Sequence, residues 1–274
     1  MIPEDIILGW GNQAPWRDKV QIEQDLILHA LICLIYSEKD LREALAFRGG
    51  TCLNKLYWEA PYRYSEDLDF VQIRQEPIGK TLDLLKSVIR SVFGEDPQWE
   101  RKSRSFRLFC SYPPQGNPQN PQHVKIEINT REHFAIEGYR ERPFVLDSSW
   151  KSGKTTVTTF SIEELLATKM RALYQRRKGR DLLDLWMSRE MRPDYQRIAE
   201  LYLEYAKKDG KKVNRDMLMT NLDMKLSDPT FLQDTAPLIR TGIDYDTKAA
   251  AEFVRDQLFC HIPQSKTKRR KKAE

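Results

Sequence analysis

Between Lys19 and Ile35 the apolar residues Ile22, Leu26, Ile27, Ala30, Leu31 and Leu34 recur at steps of three and four, the spacing that lines one face of a helix. A second, shorter helix is expected after Ser37 and Asp40. LAFRGGT then carries an apolar run into paired glycines, and TCLNKLYW resumes helical spacing through Leu53, Leu56 and Tyr57. The segment reads as an extended stretch, a tight turn and a helix. DLDFVQI predicts a short strand, and Leu82, Leu85, Val88, Ile89 and Phe93 predict a helix over roughly 80–93. Further strands are expected at 105–112, 124–131 and 155–160. Residues 113–123, PPQGNPQNPQH, hold four prolines and no apolar residue, so they form a loop or hairpin tip.

From Ser161 the pattern changes to helix after helix. SIEE places Glu164 three residues after Ser161, a capping box opening a helix that runs toward Arg177. The chain is thus read as α+β, with a strand-and-helix part at 1–160, an all-helical part at 161–262 and a basic tail at 263–274.

Composition narrows the class. With 40% hydrophobic and 31% charged residues among 274, the chain belongs with globular proteins rather than disordered, fibrous or membrane-spanning ones. The net charge of +5 suggests a polyanion partner until it is located: 264–274 holds six Lys/Arg against Glu274 alone, and the remainder carries 39 residues of each sign. General attraction to nucleic acid therefore rests on the tail, read as a disordered arm, and on local patches. Cys33, Cys52, Cys110 and Cys260 show no C-x-x-C pairing and no histidine at zinc spacing, so neither a zinc site nor a disulfide framework is expected. The N-terminus has neither the basic start nor the apolar core of a signal peptide, and no apolar run approaches membrane length. A cytoplasmic protein with no membrane partner is expected.

The chemistry concentrates in FRGGTCLNKLYWEAPYRYSEDLDF, residues 47–70. On a strand Asp67 and Asp69 project from one face while Leu68 and Phe70 point into the core. Two carboxylates side by side repel unless a divalent cation neutralises them, and Mg²⁺ is the direct use of that spacing. Gly49 and Gly50 offer backbone N–H groups at a helix start, where phosphate is favoured, and Thr51 adds a hydroxyl. VKIEINTR alternates Val124, Ile126 and Ile128 against Lys125, Glu127 and Asn129, which reads as an amphipathic strand with a solvated face. In the helix after Ser161, Lys169 falls within the apolar row Ile162, Leu165, Ala172 and Leu173, where its charge must snorkel to water or meet a partner. Arg176, Arg177, Lys178 and Arg180 form the densest basic cluster of the body, either to position phosphates or as a solvated helix end.

The order of Phe47, Gly49, Gly50, Thr51, Asp67, Asp69 and Phe70 resembles the nucleotidyltransferase superfamily related to DNA polymerase β. Within it, FRGGTCLNKLY followed by RYSEDLDF, and the later KMRALYQRRKGRDLLDLW, are similar to the AbiEii family of type IV toxin–antitoxin systems, which has MenT-type toxins among its relatives. The resemblance implies a mixed sheet followed by a helical domain that completes the site. It implies Mg²⁺ on Asp67, Asp69 and Glu127, an NTP held with Gly49, Gly50, Thr51, Lys125 and Lys169, and Asp181 or Asp184 as an acidic partner behind the site. It implies NMP transfer to an acceptor, for related toxins a tRNA 3′ end, and an antitoxin encoded nearby. Nucleotidylation of a protein hydroxyl, or binding of nucleotide or RNA without turnover, are the competing readings.

Overall fold

The computed structural model describes residues 2–265, so the basic stretch 266–272 lies outside the described residues. The chain divides into two compact units, Met1–Leu165 with Leu238–Ile243, and Leu166–Pro237 with Asp244–Glu274.

In the first unit, α1 (Glu4–Trp10), α2 (Lys19–Ser37) and α3 (Lys39–Ala44) lead into β1 (Leu45–Arg48) and α4 (Gly49–Leu56). β2 (Asp67–Gln72) and α5 (Gly79–Phe93) follow, then β3 (Gln98–Arg101), β4 (Ser105–Tyr112), β5 (Gln122–Asn129), β6 (Arg140–Asp147) and β7 (Ser152–Thr159). The strands form one mixed sheet in the order β3-β4-β5-β2-β1-β7-β6. β2 runs parallel to β5 and β1 parallel to β7, and the other pairings are antiparallel. The proline-rich segment 113–121 is the tip of the β4–β5 hairpin. β6 carries Pro143 opposite Thr156, which its place at the sheet edge tolerates because no further strand needs that N–H.

α2 is buried on more than the face its periodicity marks. Thirteen of its residues are buried, among them Glu23, Gln24 and Asp25, because it packs against β6 and β7 as well as α1, α3 and α5. Its buried polar groups are partnered, as a low-dielectric interior requires. Asp25 accepts from the indoles of Trp10 (2.9 Å) and Trp16 (3.1 Å) and from Lys55 Nζ (2.6 Å). Gln24 donates to the His123 carbonyl, and Glu23 accepts from the Gln115 N–H. Among the described helices α2 alone is long and apolar enough to cross a membrane, but it serves here as a core helix.

His29, on α2, stacks on Phe144 at 4.2 Å with Nε2 2.9 Å from the Val145 carbonyl. Burial and the Lys55 charge, opposed by the Val145 contact and Asp25, hold its imidazole down to about 4. The folded state therefore binds fewer protons than the unfolded one between about 4 and the ordinary histidine value of ~6.5. Stability is fully present above ~6.5 and is lost as pH falls through 4. Melting temperatures measured from neutral pH to about 4 should fall less steeply for His29→Gln than for the wild type.

The second unit takes most of α6 (Ile162–Gln175), the division falling after Leu165, and α7 (Gly179–Met187), α8 (Tyr195–Lys208), α9 (Arg215–Leu226), α10 (Pro229–Gln233) and α11 (Thr247–Gln257). α7 packs on α10 and α11, and α9 on α10 and α11. Asp194, Asn214, Asp228 and Asp246 cap the N-termini of α8 to α11 by accepting backbone N–H groups. At the start of α6, Ser161 Oγ accepts the Glu164 N–H as the capping box predicts, while the Glu164 carboxylate accepts the N–H groups of Ile136 and Glu137 and so pins the loop before β6. The segment 238–243 returns to the first unit. Ile239 bridges Arg63, and Leu238 and Arg240 exchange backbone hydrogen bonds with Tyr64 and Tyr62, a pairing no local pattern announces.

Candidate active site

β1 delivers the chain into Gly49 and Gly50, which open α4. Gly49 has a left-handed φ of +83°, and a side chain there would run into the Asp69 carboxylate; one on Gly50 would meet the Arg63 guanidinium. The paired glycines thus let an acid and a buried arginine approach the first turn of α4 closely. Gly49→Ala should lower stability by more than the ~1–2 kcal/mol of a left-handed alanine. Gly94, also left-handed with open space around it, bears that backbone cost alone, so urea unfolding of Gly49→Ala and Gly94→Ala separates the two contributions.

Thr51 is buried, and its hydroxyl donates to the Asp67 carbonyl (2.5 Å) and lies 2.7 Å from Ser65 Oγ. It ties the start of α4 to the start of β2, which leaves its backbone N–H as the group it can offer a ligand.

Asp67 and Asp69 alternate with buried Leu68 and Phe70 along β2. The parallel register sets Asp67 beside Lys125 and Asp69 beside Glu127, so all four side chains share one face. Lys125 Nζ lies 2.9 Å from Asp67 and 3.6 Å from Glu127. Partial burial works against its charge, but the hydrogen bond and charge of Asp67, with Asp69 and Glu127, outweigh it and raise its pKa. From β4, whose Arg107 is in register with Glu127, Ser105 Oγ donates to Glu127 (2.8 Å) and Arg107 Nε lies 3.0 Å from it. Ser105 and Arg107 were legible as neighbours of Glu127 only once β4 and β5 were paired; the alternation of SFRLFCSY was the available signal.

The donor set is all oxygen, which suits a hard divalent cation. Among the described residues no three His, Cys, Asp or Glu side chains are gathered as a metal cluster. The Lys125 ammonium stands between Asp67 and Glu127 as the compensating positive charge, and Glu127 is engaged by Arg107. Asp67 and Asp69 are the two donors whose shared face of β2 fits an ion directly.

The other sequence-selected residues lie in the second unit. Lys169 is buried, 2.7 Å from Asp184 and 3.5 Å from Asp181, both fully buried. Asp181 also accepts two hydrogen bonds from Arg176, at 2.6 and 2.8 Å. The basic cluster is paired throughout: Arg177 with Asp228, and Lys178 and Arg180 with Asp234, which favours the structural reading of that run. Sequence reasoning missed Lys225, whose buried ammonium donates to the Leu173 and Tyr174 carbonyls at the end of α6. Burial pushes its pKa down to about 8, against the pull of Asp181 and with the push of Arg177. A lone lysine on an otherwise ordinary helix gave no signal of this.

Comparison with known proteins supplies the family. The fold is similar to that of MenT4, a nucleotidyltransferase toxin from Mycobacterium tuberculosis, with a TM-score of 0.67 and 17% identity over 95% of this chain and 89% of that one. It is also similar to JHP933 from Helicobacter pylori, with a TM-score of 0.53 and 18% identity over 88% and 90% of the two chains. At such identities the likeness is one of fold. No match is found among curated protein sequences. The family model described as nucleotidyl transferase AbiEii toxin, type IV TA system, matches residues 32–253, a span that takes in the Gly49–Gly50 turn, both aspartates of β2 and the buried Lys169–Asp184 pair. The chain belongs to the AbiEii nucleotidyltransferase toxin family.

Proposed function

We propose that this nucleotidyltransferase is Mg²⁺-dependent and moves NMP from an NTP to the 3′ end of tRNA, blocking translation. The observation that carries the reading is the placement of Asp67 and Asp69 on one face of β2, against the Gly49–Gly50 turn and in register with Lys125 and Glu127. Asp67 and Asp69, with Glu127 as the third carboxylate of the same face, would hold Mg²⁺. When bound, the ion would supply Lewis-acid activation of the acceptor hydroxyl and charge neutralisation for the leaving pyrophosphate. The N–H groups at the start of α4, from Gly49, Gly50 and Thr51, hold phosphate oxygens. Lys125 adds a positive charge on the same face. An acceptor oxygen bonds to the α-phosphorus, the bond from that phosphorus to the bridging oxygen breaks, and pyrophosphate departs. Glu127, in register with Asp69 on the same face of the sheet, would favour loss of the hydroxyl proton. By its place in KMRALYQRRKGRDLLDL, Lys169 is assigned to the nucleotide phosphates and Asp181 to its support.

Membership of a toxin family implies an antitoxin, which we place in a neighbouring gene. Cys33, Cys110 and Cys260, which form no disulfide, fit a reducing compartment, the cytoplasm. Purified protein incubated with total tRNA, Mg²⁺ and each α-labelled NTP in turn should label tRNA with one preferred base. Label on protein instead would replace tRNA with a side-chain hydroxyl as acceptor, and label on neither would support a binding module without turnover.

A further inference from the structure

The sheet face that carries Asp67 and Asp69 continues from β2 across β5 and β4 to β3. Strand register sets its side chains in two rows: Asp67, Lys125, Phe109 and Gln98, and beside them Asp69, Glu127, Arg107 and Glu100. The second row is charged throughout, and its Arg107 lies 3.0 Å from Glu127 and 3.2 Å from Glu100. In the first row Lys125 is held by Asp67 at 2.9 Å. Phe109 departs from this pattern.

It is the one apolar side chain that β4 and β5 place on this face. Its neighbours Leu108 and Cys110 point the other way and are buried with Ile126 and Val124, so Phe109 shares the side of Arg107 by strand alternation. The ring is only half-buried, and it belongs neither to the hydrophobic core nor to the apolar residues packed against that core. Phe106 and Tyr112 of the same strand pack on the rings of Trp99 and Phe93. Phe109 has no ring partner among the described residues.

The order of parts across the sheet says what would cover it. The glycine turn of α4, against the Asp69 carboxylate, follows β1 on one side of β2, whereas β5 and then β4 lie on the other. With phosphates at that turn and Glu127 of β5 receiving the hydroxyl proton, the acceptor enters from the β5 side. The group that bears the hydroxyl then extends over β4. Phe109 stands two strand spacings from Asp67, ~10 Å in the plane of the sheet, a gap on the scale of one nucleoside.

We propose, resting on the reading of Asp67, Asp69 and Glu127 as the transfer site, that Phe109 is the platform on which the terminal base of the acceptor stacks. The acceptor is then a nucleic acid whose 3′-terminal base is unpaired, since a base held in a duplex has no free face to lay on the ring. Stacking on an aromatic ring tolerates every base. Lys125 and Arg107 on either side are already engaged by carboxylates, so the ring supplies affinity that their charges do not. A protein hydroxyl brings no planar base and gains nothing from Phe109.

The test titrates the full chain, without NTP, against a short single-stranded RNA carrying a 5′ fluorophore, and against the same RNA with an abasic 3′-terminal nucleotide. Wild type should bind the intact RNA about tenfold more tightly by anisotropy, the effect of one base stacked on an aromatic ring. Phe109→Leu keeps an apolar side chain without the ring; it should bind the intact RNA about tenfold more weakly and the abasic RNA as wild type does. Phe109→Trp should restore the preference. In transfer assays Phe109→Leu should raise the KM for tRNA and leave the KM for NTP unmoved. Equal binding of the two RNAs by wild type, or no binding of either, would overturn the platform even if Phe109→Leu failed to fold. So would an equal loss for both RNAs in a folded Phe109→Leu protein. Label entering tRNA alongside equal RNA binding would refute the platform and leave the transfer reading standing, whereas base-dependent binding without label in tRNA would do the reverse.

Discussion

Asp69→Asn is expected to lower nucleotidyl transfer by about 10³-fold or more, a loss of the size seen when one charge-stabilising group is removed from a preorganised site, while leaving the fold intact. The substitution is isosteric, so the close packing of residue 69 over Gly49 is kept. It removes one of two like charges from neighbouring positions on one face of β2, which relieves repulsion with Asp67. Unfolding free energy should therefore stay within about 1 kcal/mol of the wild type. Transfer rate and urea unfolding measured on the same preparation check both halves. A protein that loses stability yet keeps its activity per folded molecule would make Asp69 a structural residue of the α4 turn.

Lys169→Met should cost about 3 kcal/mol of stability or more, because it takes the ammonium from two fully buried carboxylates, and breaking a buried ion pair from one side leaves the opposite charge desolvated. Asp184, at 2.7 Å, is the nearer of the two carboxylates to Lys169, and Asp181 keeps its two bonds from Arg176. Adding Asp184→Met removes the nearer carboxylate as well, and replacing a buried pair by apolar side chains is often near neutral. The double variant should recover most of the lost stability. Its transfer activity should not recover, since Lys169 is assigned to the nucleotide phosphates as well as to the buried pair. Denaturation midpoints of the three proteins measure the first effect and transfer assays the second. Recovery of both in the double variant would confine Lys169 to a structural role.

Much of the site was legible because its signals are local. The period-two alternation around Asp67 and Asp69, the paired glycines and the alternation of VKIEINTR each fix a face or a turn within a few residues. What the sequence hid depends on distant partners. β3, QWER, is a four-residue edge strand with Trp99 exposed and no apolar alternation to betray it. β6 contains Pro143, which argues against a strand until its edge position is known. α2 reads as one-faced because Glu23, Gln24 and Asp25 are polar; their burial is explained only by Trp10, Trp16, Lys55 and the β4–β5 tip converging on them. Lys169 was singled out because a lysine in an apolar row needs a partner, but the row could not say that Asp184, fifteen residues on and in the next helix, is the nearer one.

The central claim is that Asp67 and Asp69 support transfer of a nucleotidyl group to RNA. It is tested most directly by presenting the protein with tRNA and Mg²⁺ and the preferred NTP labelled either at the α- or at the γ-phosphate, alongside Asp67→Asn and Asp69→Asn. The account predicts that α-label enters tRNA, that γ-label leaves as pyrophosphate, and that both variants are inactive. Entry of γ-label into tRNA, or α-label transfer that survives loss of either aspartate, would contradict it.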